Sequence, residues 1–118
     1  MAGQATLRAV ATTPTAVFAI GDGNVMTTSA LRLPAGQSTW IETVIPGVPS
    51  TFFDGIWASV EEEAFAVGAG GRIIHYTGTW SVLDTDTGGA NLHAIHGSDR
   101  RDVFAVGANG TILRYTGP

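Results

Sequence analysis

The chain has no cysteine and no lysine. Without thiols there is no disulfide framework, no thiolate metal site and no cysteine nucleophile, and without amines there is no Schiff-base chemistry. Basic charge rests on six arginines against ten carboxylates, a net charge of −4, so the chain offers no footprint for nucleic acid or an anionic membrane. Charged residues are only 14% of the total, which leaves few groups for acid and base work. No apolar run approaches the roughly 18 residues of a membrane span. Met1-Ala2-Gly3-Gln4 also lacks the charged start and apolar stretch of a secretory signal. A soluble chain without an address is therefore expected, and its compartment stays open. No window shows a sustained apolar period of 3.6 residues, so essentially no helix is expected.

What is present favours strands and turns. Hydrophobic residues make up 44%, enough for a packed core, and 16 glycines and five prolines punctuate 118 residues, about one domain by length. The dominant feature is an internal repeat. Phe53 to Gly78 aligns without gaps on Leu92 to Gly117, with 12 identities in 26 positions. The shared core is Phe65-Ala66-Val67-Gly68-Ala69 against Phe104-Ala105-Val106-Gly107-Ala108, followed by Gly71/Gly110, Ile73/Ile112 and Tyr76-Thr77-Gly78/Tyr115-Thr116-Gly117. A fainter copy opens the chain, with Leu7, Val10 and Phe18-Ala19-Ile20-Gly21 in the same slots, and Thr39-Trp40 echoes Thr79-Trp80. The units are approximately 5–52, 53–91 and 92–118.

Each unit reads as short strands joined by turns. In the third, Leu92 to His96 is a strand, Ser98 to Asp102 a turn and Val103 to Val106 a second strand. Gly107-Ala108-Asn109-Gly110 is a tight hairpin turn suited to positive φ, and Thr111 to Tyr115 returns. In the second unit Trp80 to Leu83 adds a fourth strand. The second strands are apolar on both faces, so sheets must cover them on either side. Antiparallel four-stranded units of roughly 40–45 residues are the pattern of propeller blades.

The stretch Ile95-His96-Gly97-Ser98 to Asp102-Val103-Phe104-Ala105-Val106-Gly107, then Gly110-Thr111-Ile112-Leu113 and Tyr115-Thr116-Gly117, resembles the W-G-S…D-V-F-A-V-G…G-T-I-x-x-Y-x-G-x-x-W blades of bacterial β-propeller repeat proteins. The resemblance covers nearly the whole chain, closely in the second and third units and faintly in the first. It implies an all-β propeller fold and no particular function. The chain departs from the pattern where the Trp slot holds His96 in the third unit and the Asp slot holds Glu63 in the second.

Units one and two supply four strands each and unit three supplies three, eleven in all. Propellers close with about four to eight blades, so a lone chain is expected to leave apolar sheet faces such as Phe104/Val106 in water. Copies are therefore expected to associate head to tail into a ring, two chains giving about six blades or, as the alternative, three giving about nine. Acidic Glu61-Glu62-Glu63 and basic Arg100-Arg101-Asp102 occupy equivalent turns, which would lie side by side on solvated hairpins.

Candidate chemistry is sparse. His93 and His96 point to opposite faces of a strand and His75 lies in another unit, so no metal site is expected. Asp84-Thr85-Asp86-Thr87-Gly88-Gly89 has Ile95 where a calcium loop needs a bidentate Glu, and reads as a solvated loop. Gly21-Asp22-Gly23-Asn24 and Gly68-Ala69-Gly70-Gly71 have no helix or Lys-Ser/Thr after them and read as turns, not phosphate cradles. No cofactor, catalytic residue or enzymatic activity is expected. Trp40 and Trp80 read as packing between blades. The aligned slots Ala11/Trp57/His96 and Thr28/His75/Arg114 vary between copies, as positions facing ligand or solvent do. Trp57, Arg72, His75, His96, Asn109 and Arg114 thus form a candidate set for ligand pockets between blades, stacking and hydrogen-bonding a sugar. Two functional classes follow: a self-assembling scaffold or interaction module, and, as the alternative, a lectin-like propeller.

Overall fold

A computed structural model describes residues 7–21, 29–44, 53–59, 63–83, 89–99 and 101–116. Among the described residues, eleven strands, β1 (Leu7–Thr13), β2 (Ala16–Gly21), β3 (Ser29–Pro34), β4 (Ile41–Val44), β5 (Phe53–Ala58), β6 (Ala64–Gly68), β7 (Ile73–Tyr76), β8 (Trp80–Leu83), β9 (Leu92–Asp99), β10 (Asp102–Gly107) and β11 (Ile112–Tyr115), account for nearly all the regular structure. They form three antiparallel meanders, β1 to β4, β5 to β8 and β9 to β11. The chain is all-β, and its only helical turns among the described residues are two three-residue 3₁₀ segments, Ala69–Gly71 and Ala108–Gly110. None of its described helices is long and apolar enough to cross a membrane.

Those two segments are the glycine-rich hairpin turns. Gly68 N–H donates to Arg72 O at 3.1 Å and Gly107 N–H to Thr111 O at 3.0 Å, closing each turn. Gly70 and Gly71 have φ of 72° and 78°, and Asn109 and Gly110 have 60° and 72°. Glycine enters this left-handed region at no steric cost and asparagine at little. The first sheet uses a different device. Thr13 Oγ1 accepts from the backbone N–H of Ala16 at 3.0 Å and of Thr15 at 3.2 Å, so one hydroxyl holds the β1–β2 turn. Between β9 and β10 the expected turn from Ser98 to Asp102 is tighter. β9 runs on to Asp99, which pairs with Asp102, while Arg101 N–H donates to Asp99 Oδ1 at 2.7 Å.

The second sheet lies between the other two. Alternation sends Ala64, Ala66, Ile74 and Trp80 into one core with Phe18 and Ile20 of the first sheet. Phe65, Val67 and Ile73 enter a second core with Leu92, Val103 and Ala105 of the third. Strand β6 is accordingly buried along its whole length. The first strands of the sheets run beside each other, β1 against β5 and β5 against β9. Each carries an irregularity at the same place, skipping Arg8, Asp54 and His93 in the pairing. These skipped residues interact: Arg8 Nε donates to Asp54 Oδ1 at 2.8 Å, and His93 Nδ1 lies 3.8 Å from Asp54 Oδ2. One carboxylate thereby faces a basic side chain of each neighbouring sheet.

Backbone approach is closest at Gly107, where an added Cβ would fall 2.0 Å from Asn91 O. Gly107→Ala should therefore lower stability by about 1–3 kcal/mol, the usual cost of overpacking, read as a fall in the urea midpoint.

Candidate interaction surface

Cross-strand pairing brings a trio together in every sheet. On the second sheet Phe65 pairs with Trp57 on one side and His75 on the other. On the third, Phe104 pairs with His96 and Arg114, and on the first, Phe18 pairs with Ala11 and Arg32. The slot opposite His75 and Arg114 thus belongs to Arg32, whereas the ungapped alignment assigned it to Thr28, which lies outside the described residues. The β2–β3 connection differs in length from its counterparts, so the register changes inside the first unit. This corrects the inference drawn from variation: the slot holds a basic side chain, Arg32, His75 or Arg114, beside a phenylalanine in each copy.

The acid that meets this base is equally repeated in the last two sheets. Glu63 and His75 form a mostly buried hydrogen-bonded pair, and Ser59 Oγ accepts from Glu63 N–H at 3.3 Å. In the third sheet Arg114 Nη2 lies 3.2 Å from Asp102 Oδ1, and Ser98 Oγ donates to Asp102 Oδ2 at 3.0 Å. Each pair ties the third strand of its sheet to the turn between the first two. Glu63 and Asp102 therefore pair within their own sheets. Glu61, Glu62 and Arg100 lie outside the described residues, as do Asp22 to Thr28 and the Asp84 to Gly88 segment weighed above as a calcium loop.

What separates the copies is cover. The His75 ring stacks on Phe65 at 4.3 Å between centroids, and Tyr115 of the third sheet closes over both at 4.9 and 5.6 Å. Trp57 stacks on Phe65 at 6.3 Å and packs so close to Gly97 that a Cβ there would lie 3.0 Å from the indole. Phe65, Val67 and Ile73 are consequently 1%, 0% and 8% exposed, while Phe104, Val106 and Ile112, their counterparts, are 43%, 43% and 68% exposed. The third sheet presents to solvent the surface that the second sheet buries.

The six ligand-pocket candidates therefore separate into three groups. Trp57 and His75 pack between the second and third sheets. His96 and Arg114 flank Phe104 on the open face of the third. Arg72 and Asn109 belong to the hairpin turns, where Asn109 supplies a left-handed φ. A cleft of about 330 Å³ lies elsewhere, between the outer strands of the first two sheets, lined by Arg32, Ile41, Thr43, Tyr76, Thr79 and Trp80 among others. Tyr76 and Trp80 meet at 5.2 Å there, and the Arg32 guanidinium sits 5.9 Å from the tyrosine ring. Spacing in sequence gave no warning of this cleft, because its two walls come from different units. No group of three or more potential metal ligands occurs among the described residues. No family model matches the chain, and no curated protein matches it either.

Removing the carboxylate tests the difference in cover. Glu63→Ala leaves a mostly covered histidine without its carboxylate and should cost about 1.5–3 kcal/mol, whereas Asp102→Ala, at an exposed pair, should cost less than about 1 kcal/mol, both by chemical denaturation of dilute protein.

Proposed function

We propose that this chain is a non-enzymatic, self-assembling β-propeller segment, a scaffold or interaction module whose sheets are blades completed by other copies of itself. The carrying observation is the exposure of Phe104, Val106 and Ile112 at positions whose counterparts are sealed between sheets. The resemblance of its units to bacterial propeller repeats supports the same reading. Monomers seldom leave a contiguous apolar face of this kind in water. Burying a large apolar side chain contributes about 1.5–3 kcal/mol when complete, so covering these three halves that figure at each position and still favours association. In a ring of two chains, both junctions form for one loss of rigid-body freedom, which favours closure over an open stack. Two copies giving about six blades remain the first choice and three the alternative.

Light scattering coupled to size exclusion should report two, or alternatively three, times the chain mass of 12.2 kDa. Phe104→Arg should shift the particle to one chain at the same concentration while leaving its far-ultraviolet spectrum unchanged. A wild-type chain that is monomeric at micromolar concentration overturns the proposal.

A second reading, binding of a carbohydrate ring, is favoured by the cleft between the first two sheets. Its aromatic floor and the hydroxyls of Thr43 and Thr79 are the groups that stack and hydrogen-bond a sugar. A glycan array should then show reproducible binding that Arg32→Ala weakens about tenfold or more, and an array silent for the wild type rejects this reading.

A further inference from the structure

Each second strand has one large face and one small face. β2 reads Val17-Phe18-Ala19-Ile20, β6 reads Ala64-Phe65-Ala66-Val67, and β10 reads Val103-Phe104-Ala105-Val106. Alternation puts Phe and Val or Ile on one side, and Ala with its flanking residue on the other. Both junctions inside the chain use these faces in the same order. The Phe18/Ile20 side of the first sheet meets the Ala64/Ala66 side of the second, and the Phe65/Val67 side of the second meets the Val103/Ala105 side of the third. In the first junction Phe18 lies 5.2 Å from Tyr76 and 6.2 Å from Trp80, ring to ring.

The outward faces are then the Phe side of the third sheet and the Ala side of the first. On the first sheet that side carries Ala19, which pairs with Leu31, and Val17, which pairs with Leu33. Arg32 pairs with Ile41 as His75 pairs with Ser81, so Leu33 and Trp40 hold the places of Tyr76 and Trp80. Trp80 is 8% exposed because Phe18 covers it, whereas Trp40 is 41% exposed and Val10, beside Ala19, is 64% exposed. The tryptophan place that receives a phenylalanine inside the chain is thus repeated and open at Trp40, at the edge of a face whose middle residues, Ala19 and Leu31, are only 5% and 6% exposed.

Resting on self-assembly as proposed above, we infer that copies join with a fixed polarity: the Phe104 face of one chain seats on the Trp40 and Leu33 face of the next. Phe104 takes the place of Phe18, and Trp40 that of Trp80. A two-fold contact through identical faces would set Phe104 against Phe104 at one junction and leave the Trp40 face without a phenylalanine at the other, which overpacks the first and underfills the second. Size mismatch between the two sides of the sheet is what selects the head-to-tail arrangement over its symmetric competitors.

The absence of cysteine makes the polarity directly readable by cross-linking. Arg114→Cys labels one face and Leu33→Cys the other; their counterparts His75 and Tyr115 or Tyr76 face neighbouring sheets, and stacked sheets lie about 10 Å apart, within reach of a short bis-maleimide. Each variant is prepared alone and as a mixture co-refolded from urea, with the mass of each sample measured before the reagent is added. The expected result is a cross-linked pair in the mixture, with at least a fivefold lower yield in either single variant. Cross-linking within either single variant at a yield equal to the mixture overturns the polarity, as does an assembled particle that cross-links in none. Samples that are monomeric by mass before reagent, wild type included, instead reject self-assembly itself. As a second readout, Trp40→Ala should weaken association at least tenfold with an unchanged urea midpoint for the dissociated chain; unchanged association overturns the assignment of Trp40.

Discussion

An apolar strand that forms the middle of a sheet must be covered on both sides, and the rest of this structure depends on that requirement. β6 meets it completely, because sheets lie on either side of it. β10 meets it on one side only, so its residues alternate between buried and exposed where those of β6 are all buried. The same five-residue motif, Phe-Ala-Val-Gly-Ala, therefore has two environments within one chain. That contrast is a property of position in the stack, since the residues themselves do not differ.

Polar interactions follow the same logic. The Ser59, Glu63 and His75 arrangement and its counterpart Ser98, Asp102 and Arg114 brace equivalent corners of adjacent sheets. The first is mostly buried, with Tyr115 over its histidine, and the second faces water. A carboxylate paired in a dry junction must keep its partner, whereas one in water is screened and tolerates its loss. Histidine at the covered corner stacks flat on Phe65, which a junction of this depth accommodates. Arginine at the open corner keeps its guanidinium hydrated and lies 5.4 Å from the Phe104 ring. Along the first strands, Arg8, Asp54 and His93 form a line of alternating character across all three sheets.

Function, on this view, is an extension of folding. The contacts that hold the second sheet between its neighbours are the contacts proposed to hold one chain to the next. A ligand-binding role would use a different feature, the cleft at the outer edges of the first two sheets, and the two readings do not compete for the same residues.

Repetition makes much of this legible in the sequence. Identical Phe-Ala-Val-Gly segments announced strands apolar on both faces, the Gly-rich tetrapeptides announced hairpin turns, and Trp80 to Leu83 was recognisable as a fourth strand. These are local consequences of side-chain period and backbone freedom, so the sequence by itself determined them. It also misassigned the third-strand slot of the first unit, because loop length shifts register without leaving a mark in an ungapped alignment; only hydrogen-bonded pairing placed Arg32 there. Whether a given phenylalanine is core or surface was likewise decided by tertiary structure alone. Phe65 and Phe104 sit in the same local sequence, and what distinguishes them is the presence of a neighbouring sheet, a fact that belongs to the stack and to no single segment.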